Sequence, residues 1–193
     1  MFIYGDSCLS DVYLPEGFSV KEIAPTDIDK KQILDDIGEL QYQVWKNSGM
    51  NMLSVANDVV NDIWLDKFDK NAYIWAIYKE KQLVASARLT IHDSIPSLPD
   101  AYCYTGYEAC FPSPIAAFNR LVVLKEFRQL KLSHYLELIR IKKSIELGAK
   151  SITLMCPDYR IDSLMKKKFS VLGNIADDPH YPNIKWVLMR RML

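Results

Sequence analysis

The run from Pro114 to Met155 limits what this chain can fold into more than any other stretch. It opens with a β-branched, apolar segment, Ile115 to Leu124, and leads to a second one, Ser151 to Cys156. Between them lie a polar loop, Lys125 to Lys131, and a helical pattern from Leu132 to Leu147 that stops at Gly148. Two extended runs around a helix make a strand–loop–helix–strand unit. Lys125, Arg128 and Lys131 stand just ahead of the helix. Unpaired backbone N–H groups and the positive end of the helix dipole meet there, so an anion is favoured. A strand, a basic loop and a helix N-terminus suit a phosphate-bearing cofactor. A solvated basic turn before a surface helix is the plainer alternative.

The flanking sequence supplies the other elements. Phe18 to Ile23 alternates apolar and polar residues, as a half-buried strand does. Thr26 offers a helix cap, with Asp27 and Asp29 after it. Ile33, Ile37, Leu40 and Val44 then recur at helical spacing, so a helix is expected over 27–47, before Gly49. Leu53, Val59, Val60, Ile63 and Trp64 suggest a short second helix. Ala72 to Tyr78 and Leu83 to Ile91 read as two strands of a hairpin around Lys79–Gln82. Residues 92–114 hold Pro96, Pro99, Pro112 and Pro114 and no clear period. A loop of this length is usually functional, and Tyr102, Tyr104, Tyr107 and Phe111 either line a substrate pocket or pack as a lid on the core. Asp158 opens a helix expected over 159–169. Ser170–Ile175 and Ile184–Met192 close the chain as strands, with turn chemistry at Asp177-Asp178-Pro179 and Pro182-Asn183.

Composition excludes several classes. With 193 residues, one domain spanning 1–193 is expected. Twenty-four basic residues balance 24 acidic ones, so no basic surface for nucleic acid is implied; Lys166-Lys167-Lys168 reads as the wet face of a helix. No apolar run reaches the length of a membrane span, and the first residues lack a basic n-region. Cys8, Cys103, Cys110 and Cys156 show no metal-binding spacing and read as reduced thiols of a cytoplasmic protein, with no metal expected.

The order of elements resembles the core of the GNAT superfamily of CoA-dependent N-acyltransferases. That family carries R/Q-x-x-G-x-G/A after its fourth strand, where loop amides hold the CoA pyrophosphate. Arg128-Gln129-Leu130-Lys131-Leu132-Ser133 stands at this place. Arg128 fits the first position and Ser133 is a small residue at the last, while Lys131 replaces a glycine. The resemblance implies an α/β (α+β) fold, with a mixed, mostly antiparallel central sheet of about six or seven strands and about four flanking helices. It also implies acetyl-CoA or acyl-CoA as donor, held by Arg128 to Ser133, with the pantetheine arm beside Leu121, Val122 and Val123.

A second resemblance is to the acyl-homoserine-lactone synthases, a branch of the same superfamily. Asp66-Lys67-Phe68-Asp69 is similar to their D-x-F-D element, Arg88-Leu89 to a later R-L, and Asn119-Arg120 to an S-R pair on the fourth strand. Gln41 stands where that branch has an arginine, and Asn51-Met52 where it has a tryptophan. In that branch these acids and the arginine shape the site for an amine substrate, S-adenosylmethionine, and acyl carrier protein delivers the acyl group. The resemblance implies that Asp66, Asp69 and Arg88 converge on one cleft under the 92–114 loop. Asp66 and Asp69 as a helix end and turn before a strand remain the structural alternative.

Acyl transfer to an amine needs a neutral amine, proximity, stabilisation of the carbonyl oxygen and a proton for the leaving thiolate. The family's acid, a tyrosine on its fourth helix, falls here at Leu164 or Met165, so Tyr159 is the nearest substitute. Asp66, Asp69, His92, Asp93 and Glu108 are candidate bases, whereas His134 reads as a surface residue. The expected function is an N-acyltransferase using an acyl thioester, acyl-CoA or acyl carrier protein, and a small-molecule amine. The alternative is a GNAT-like ligand-binding or sensor domain without chemistry, favoured by Lys131 and the missing tyrosine.

Overall fold

The computed structural model describes residues 13–28, 30–175 and 184–193, apart from the side chains of 53 and 54. Cys8, Asp29 and the turn residues 177–183 lie outside the described residues, as does the side chain of Leu53.

In chain order the elements are β1 (Phe18–Ile23), α1 (Lys30–Lys46), β2 (Val59–Val60), β3 (Ile63–Trp64), β4 (Tyr73–Lys79), β5 (Gln82–His92), β6 (Ile115–Val123), α2 (Leu132–Glu146), β7 (Ser151–Pro157), α3 (Ile161–Met165), β8 (Ser170–Asn174) and β9 (Trp186–Met192). Seven strands form one sheet in the order β1-β4-β5-β6-β7-β9-β8. All neighbours are antiparallel except β6 and β7, which run parallel because α2 returns the chain to the same edge. The two extended runs around α2 are therefore neighbours in one sheet, paired from Ile115–Ser151 to Phe118–Leu154. Ile74 and Ala76 of β4 pack with Leu34 and Ile37 of α1 on one face. Trp75, Ile77, Ala87, Leu89 and Phe118 pack with Leu132, Leu136 and Ile141 of α2 on the other.

Three expectations need correction. The second helix of residues 51–66 is a 3₁₀ turn, Met52–Asp58, followed by the β2–β3 hairpin. Its turn residues, Asn61 and Asp62, have φ of 53° and 63°, the left-handed pair that a tight two-residue hairpin requires. Among the described residues the sheet is flanked by three α-helices, against the roughly four expected. The helix expected over 159–169 is a 3₁₀ turn, Asp158–Arg160, and the short α3; Lys168 at φ 63° turns the chain so that Phe169 enters the core. The helix expected from residue 27 begins at Lys30, four residues past Thr26, and the Lys30 ammonium donates to the carbonyls of Lys70 and Ala72.

The hairpin matters because it carries the chain to Asp66, and α1 receives it through a glycine. A Cβ at Gly38 would stand 2.6 Å from Cγ2 of Ile63 and 3.1 Å from Cγ of Leu65. Helix propensity alone favours Ala over Gly by about 1 kcal/mol. Overpacking works against it, by about 1–3 kcal/mol. Gly38→Ala is expected to lower stability in a denaturant titration; a gain of the propensity increment would show that the hairpin does not press on α1.

Candidate active site

The site starts from an irregularity in β6. Ser86 pairs with Val122 but Arg88 pairs with Asn119, so β6 holds an extra residue between these pairs. Arg120 sits in this bulge with φ of 54°. Two residues earlier the parallel pairing of β6 with β7 ends at Phe118–Leu154, although β6 runs on to Val123 and β7 to Pro157. The strands diverge, and a cavity of about 960 Å³ opens at the gap. Leu121, Val122 and Val123 line it from β6, and Met155, Cys156 and Pro157 from β7.

At one end stands a buried ion cluster. Arg88 is 1% exposed. Its Nη1 meets Asp66 Oδ1 at 2.6 Å and Asp69 Oδ1 at 2.9 Å, and its Nε donates to Asn119 Oδ1 at 2.7 Å. Arg120 Nη2 meets Asp66 Oδ2 at 2.8 Å, its Nη1 donates to Gln41 Oε1 at 3.1 Å, and its guanidinium lies 3.7 Å from the Trp64 ring centroid. Two arginines and two aspartates balance in charge, which is what allows them to be buried. The side chains of Asp66, Asp69 and Arg88 thus meet, but Asp69 is 2% exposed and lies outside the cavity lining, contrary to the expectation that all three face one cleft. Asp66, Arg88 and Arg120 line the cavity, as do Pro99, Asp100 and Tyr102 of the 92–114 loop.

The same geometry weakens Asp66 as a proton acceptor. Burial alone would raise its pKa, but Arg88 and Arg120 outweigh burial and hold the carboxyl down at about 2. The folded value lies below the ordinary 3.8, so the stabilisation is present above pH 4 and is lost as pH falls from about 4 towards 2. Asp66→Asn is expected to cost about 2 kcal/mol at pH 7, with the gap from the parent narrowing between pH 4 and pH 3. Urea titrations at these pH values check it; an unchanged gap would place the loss in something other than the carboxylate.

At the other end lies the loop before α2. Arg128 and Ser133 line the cavity, while Gln129, Leu130 and Lys131 are exposed. Gln129, Leu130, Lys131 and Leu132, although expected to hold the donor, are not part of the lining, and Leu132 differs from the other three in being buried. Its side chain is 1% exposed inside the apolar core, so only its backbone can face a ligand. No side chain caps α2 at Lys131, and first-turn amides of a helix lack intrahelical partners. Gln129 and Lys131 have φ of 68° and 59°. Lys131 holds the left-handed conformation natural to the glycine it replaces, at a cost of roughly 1–2 kcal/mol.

Other candidates separate clearly. Tyr159 is 78% exposed and lines the cavity, next to Arg160 and Ser163. Leu164 lines it too, whereas Met165 is 55% exposed outside it. His92 is buried, hydrogen-bonded to Thr90 at 2.7 Å and packed edge-on against Phe68; burial pushes its pKa below the usual value. Asp93 and Glu108 are exposed and outside the lining. Of the loop aromatics only Tyr102 reaches the cavity; Tyr104 and Phe111 are buried against Leu98, Ile115 and Leu188, with Tyr107 packed beside them. Sequence reading also missed charged groups at the cavity. Lys167, expected on a wet helix face, is 4% exposed and paired with Glu137 at 2.8 Å. Glu137 and Arg140 line the cavity from α2. Their signal was spacing: with Ser133 they fall on one helical face. Cys103, Cys110 and Cys156 are free thiols.

No protein-family model and no curated protein matches the sequence. Solved structures do match. The acyl-homoserine-lactone synthase LasI aligns over 90% of this chain and 88% of its own, at 16% identity and a TM-score of 0.65. The CoA-dependent acyl-homoserine-lactone synthase BjaI, solved with SAM and isopentyl-CoA, aligns over 90% and 82%, at 12% identity and 0.67. An acyl-CoA N-acyltransferase from Pseudomonas aeruginosa aligns over 90% and 99%, at 14% identity and 0.59. This chain has the GNAT fold. No helix among the described residues is long and apolar enough to cross a membrane.

Proposed function

We propose that this chain is an N-acyltransferase that moves an acyl group from a phosphopantetheine thioester to a small-molecule amine. The observation that carries the reading is one cavity joining the Arg128–Ser133 loop to the Asp66–Arg88–Arg120 cluster through the gap between β6 and β7. Leu121 to Val123 offer a wall for the pantetheine arm. Arg128, the free amides at the start of α2 and Lys131 offer charge for its phosphate. Structural neighbours named as an acyl-CoA N-acyltransferase and a CoA-dependent acyl-homoserine-lactone synthase support acyl-CoA as the donor, and acyl carrier protein shares the same arm.

The reaction needs no covalent enzyme intermediate. The neutral amine attacks the thioester carbonyl, a C–N bond forms, and the C–S bond breaks. The amine loses a proton to water or a base, and the thiolate gains one. In this reading Tyr159 supplies the thiolate proton. Asp66 holds Arg88 and Arg120 in place and Asp69 holds Arg88, and with its low pKa Asp66 is a poor base.

Calorimetry and thioester turnover test the reading. Arg128→Ala and Lys131→Ala are each expected to raise the donor Kd by roughly ten-fold, the worth of one charge-assisted hydrogen bond. Arg88→Met is expected to reduce acceptor use more than donor binding. Free thiol should be released saturably in the presence of an amine. Donor binding without thiol release under any amine would instead favour the ligand-binding or sensor reading. Unchanged affinity in both loop variants would remove the α2 loop from the site.

A further inference from the structure

The cavity has an inner charged wall that amine acylation alone does not use. Beneath the gap between β6 and β7 it is lined by Phe118, Leu154 and Leu164, together with Glu137, Arg140 and Arg160. Ser133, Glu137 and Arg140 lie on one face of α2, starting at the loop that faces the donor phosphate. Seven helical residues span about 10 Å, so Arg140 stands well inside that loop.

Charge around this wall does not balance. Glu137 is the carboxylate that pairs with both Arg160 and Lys167. Arg140 is 2% exposed, and burial pushes its guanidinium down to about 9, which leaves it cationic at neutral pH. Its Nε donates to the carbonyl of Leu136 and its Nη1 to that of Arg88, each at 3.1 Å. The guanidinium lies 4.4 Å from the Phe118 ring centroid. Among the described residues no carboxylate comes within 4.0 Å of it. Arg140, Arg160 and Lys167 thus face a single acid. A buried cation without an anion is costly, and a guanidinium still has donors to offer a planar carboxylate.

We infer, taking acyl transfer as the reaction of this site, that Arg140 receives a carboxylate at the far end of the donor's acyl group. The transferred group is then a short ω-carboxyacyl chain rather than a plain alkanoyl one. Phe118, Leu154 and Leu164 cover its methylenes. A long alkanoyl chain would instead lay hydrocarbon against Arg140 and Glu137 and remove their remaining polar contacts. The donor's own phosphate is served at the α2 N-terminus.

The test is calorimetry with succinyl and butyryl thioesters of 4′-phosphopantetheine, which share a four-carbon acyl length and the arm common to CoA and acyl carrier protein. The parent protein is expected to bind the succinyl thioester at least ten-fold more tightly. Arg140→Met, checked for folding by near-UV circular dichroism, should reduce the preference to two-fold or less while leaving affinity for free phosphopantetheine unchanged. Equal affinity of the parent for the two thioesters overturns the inference and needs no variant. A preference that persists in folded Arg140→Met also overturns it. Binding of neither thioester nor the free arm removes the acyl-transfer reading itself, which is a different result from binding without preference.

Discussion

A parallel strand pair that stops half-way governs this molecule. β6 and β7 share hydrogen bonds only as far as Phe118 and Leu154, and the backbone groups beyond that point face a cavity instead of each other. In a closed sheet every such group would be satisfied and nothing could enter. The divergence follows from a local cause. One extra residue in β6 shifts its register against β5 and bends the strand away from β7. Sheet integrity is maintained elsewhere, by β5 on one side and by β9 on the other, so the gap costs little of the fold.

The gap brings together two kinds of charge that the sequence keeps far apart. Asp66 and Asp69 arrive from the segment after α1, Arg88 from the middle of β5 and Arg120 from the bulge. Each would be costly to bury alone, and together they are neutral. Glu137, Arg140, Arg160 and Lys167 form a second group on the far side of the sheet, and that group is not neutral. The two groups thus differ in how their charges are met: the first is paired throughout, while in the second Glu137 serves both Arg160 and Lys167.

Much of this was legible in the residues. Strands β4, β5, β6 and β7 and helix α2 announce themselves by period, since each has one face in the core. Arg88 was legible because a charge within a strand needs a partner, whereas Asp66 and Asp69 were legible only through the resemblance of Asp66-Lys67-Phe68-Asp69 to the lactone-synthase element. Residues 51–66 were misread because Val59, Val60, Ile63 and Trp64 also fit a helical stripe. The Asn61-Asp62 pair, a left-handed turn signature between two apolar dipeptides, was the discriminating signal. Lys167 was misread for another reason. Three consecutive lysines look solvated, but α3 ends early and the turn at Lys168 swings the middle one onto Glu137. Arg140 could not be found by period, because an arginine on the apolar side of a helix is locally indistinguishable from one whose head reaches water.

The loop ahead of α2 keeps its left-handed backbone at Gln129 and Lys131 although neither residue is glycine. What is retained there is a set of torsion angles rather than a set of letters. A lysine can take the torsion angles for which glycine is the usual residue, at a steric cost set by its Cβ. The turn into α2 is thus built from residues whose Cβ atoms work against it, and its shape is imposed by the elements on either side.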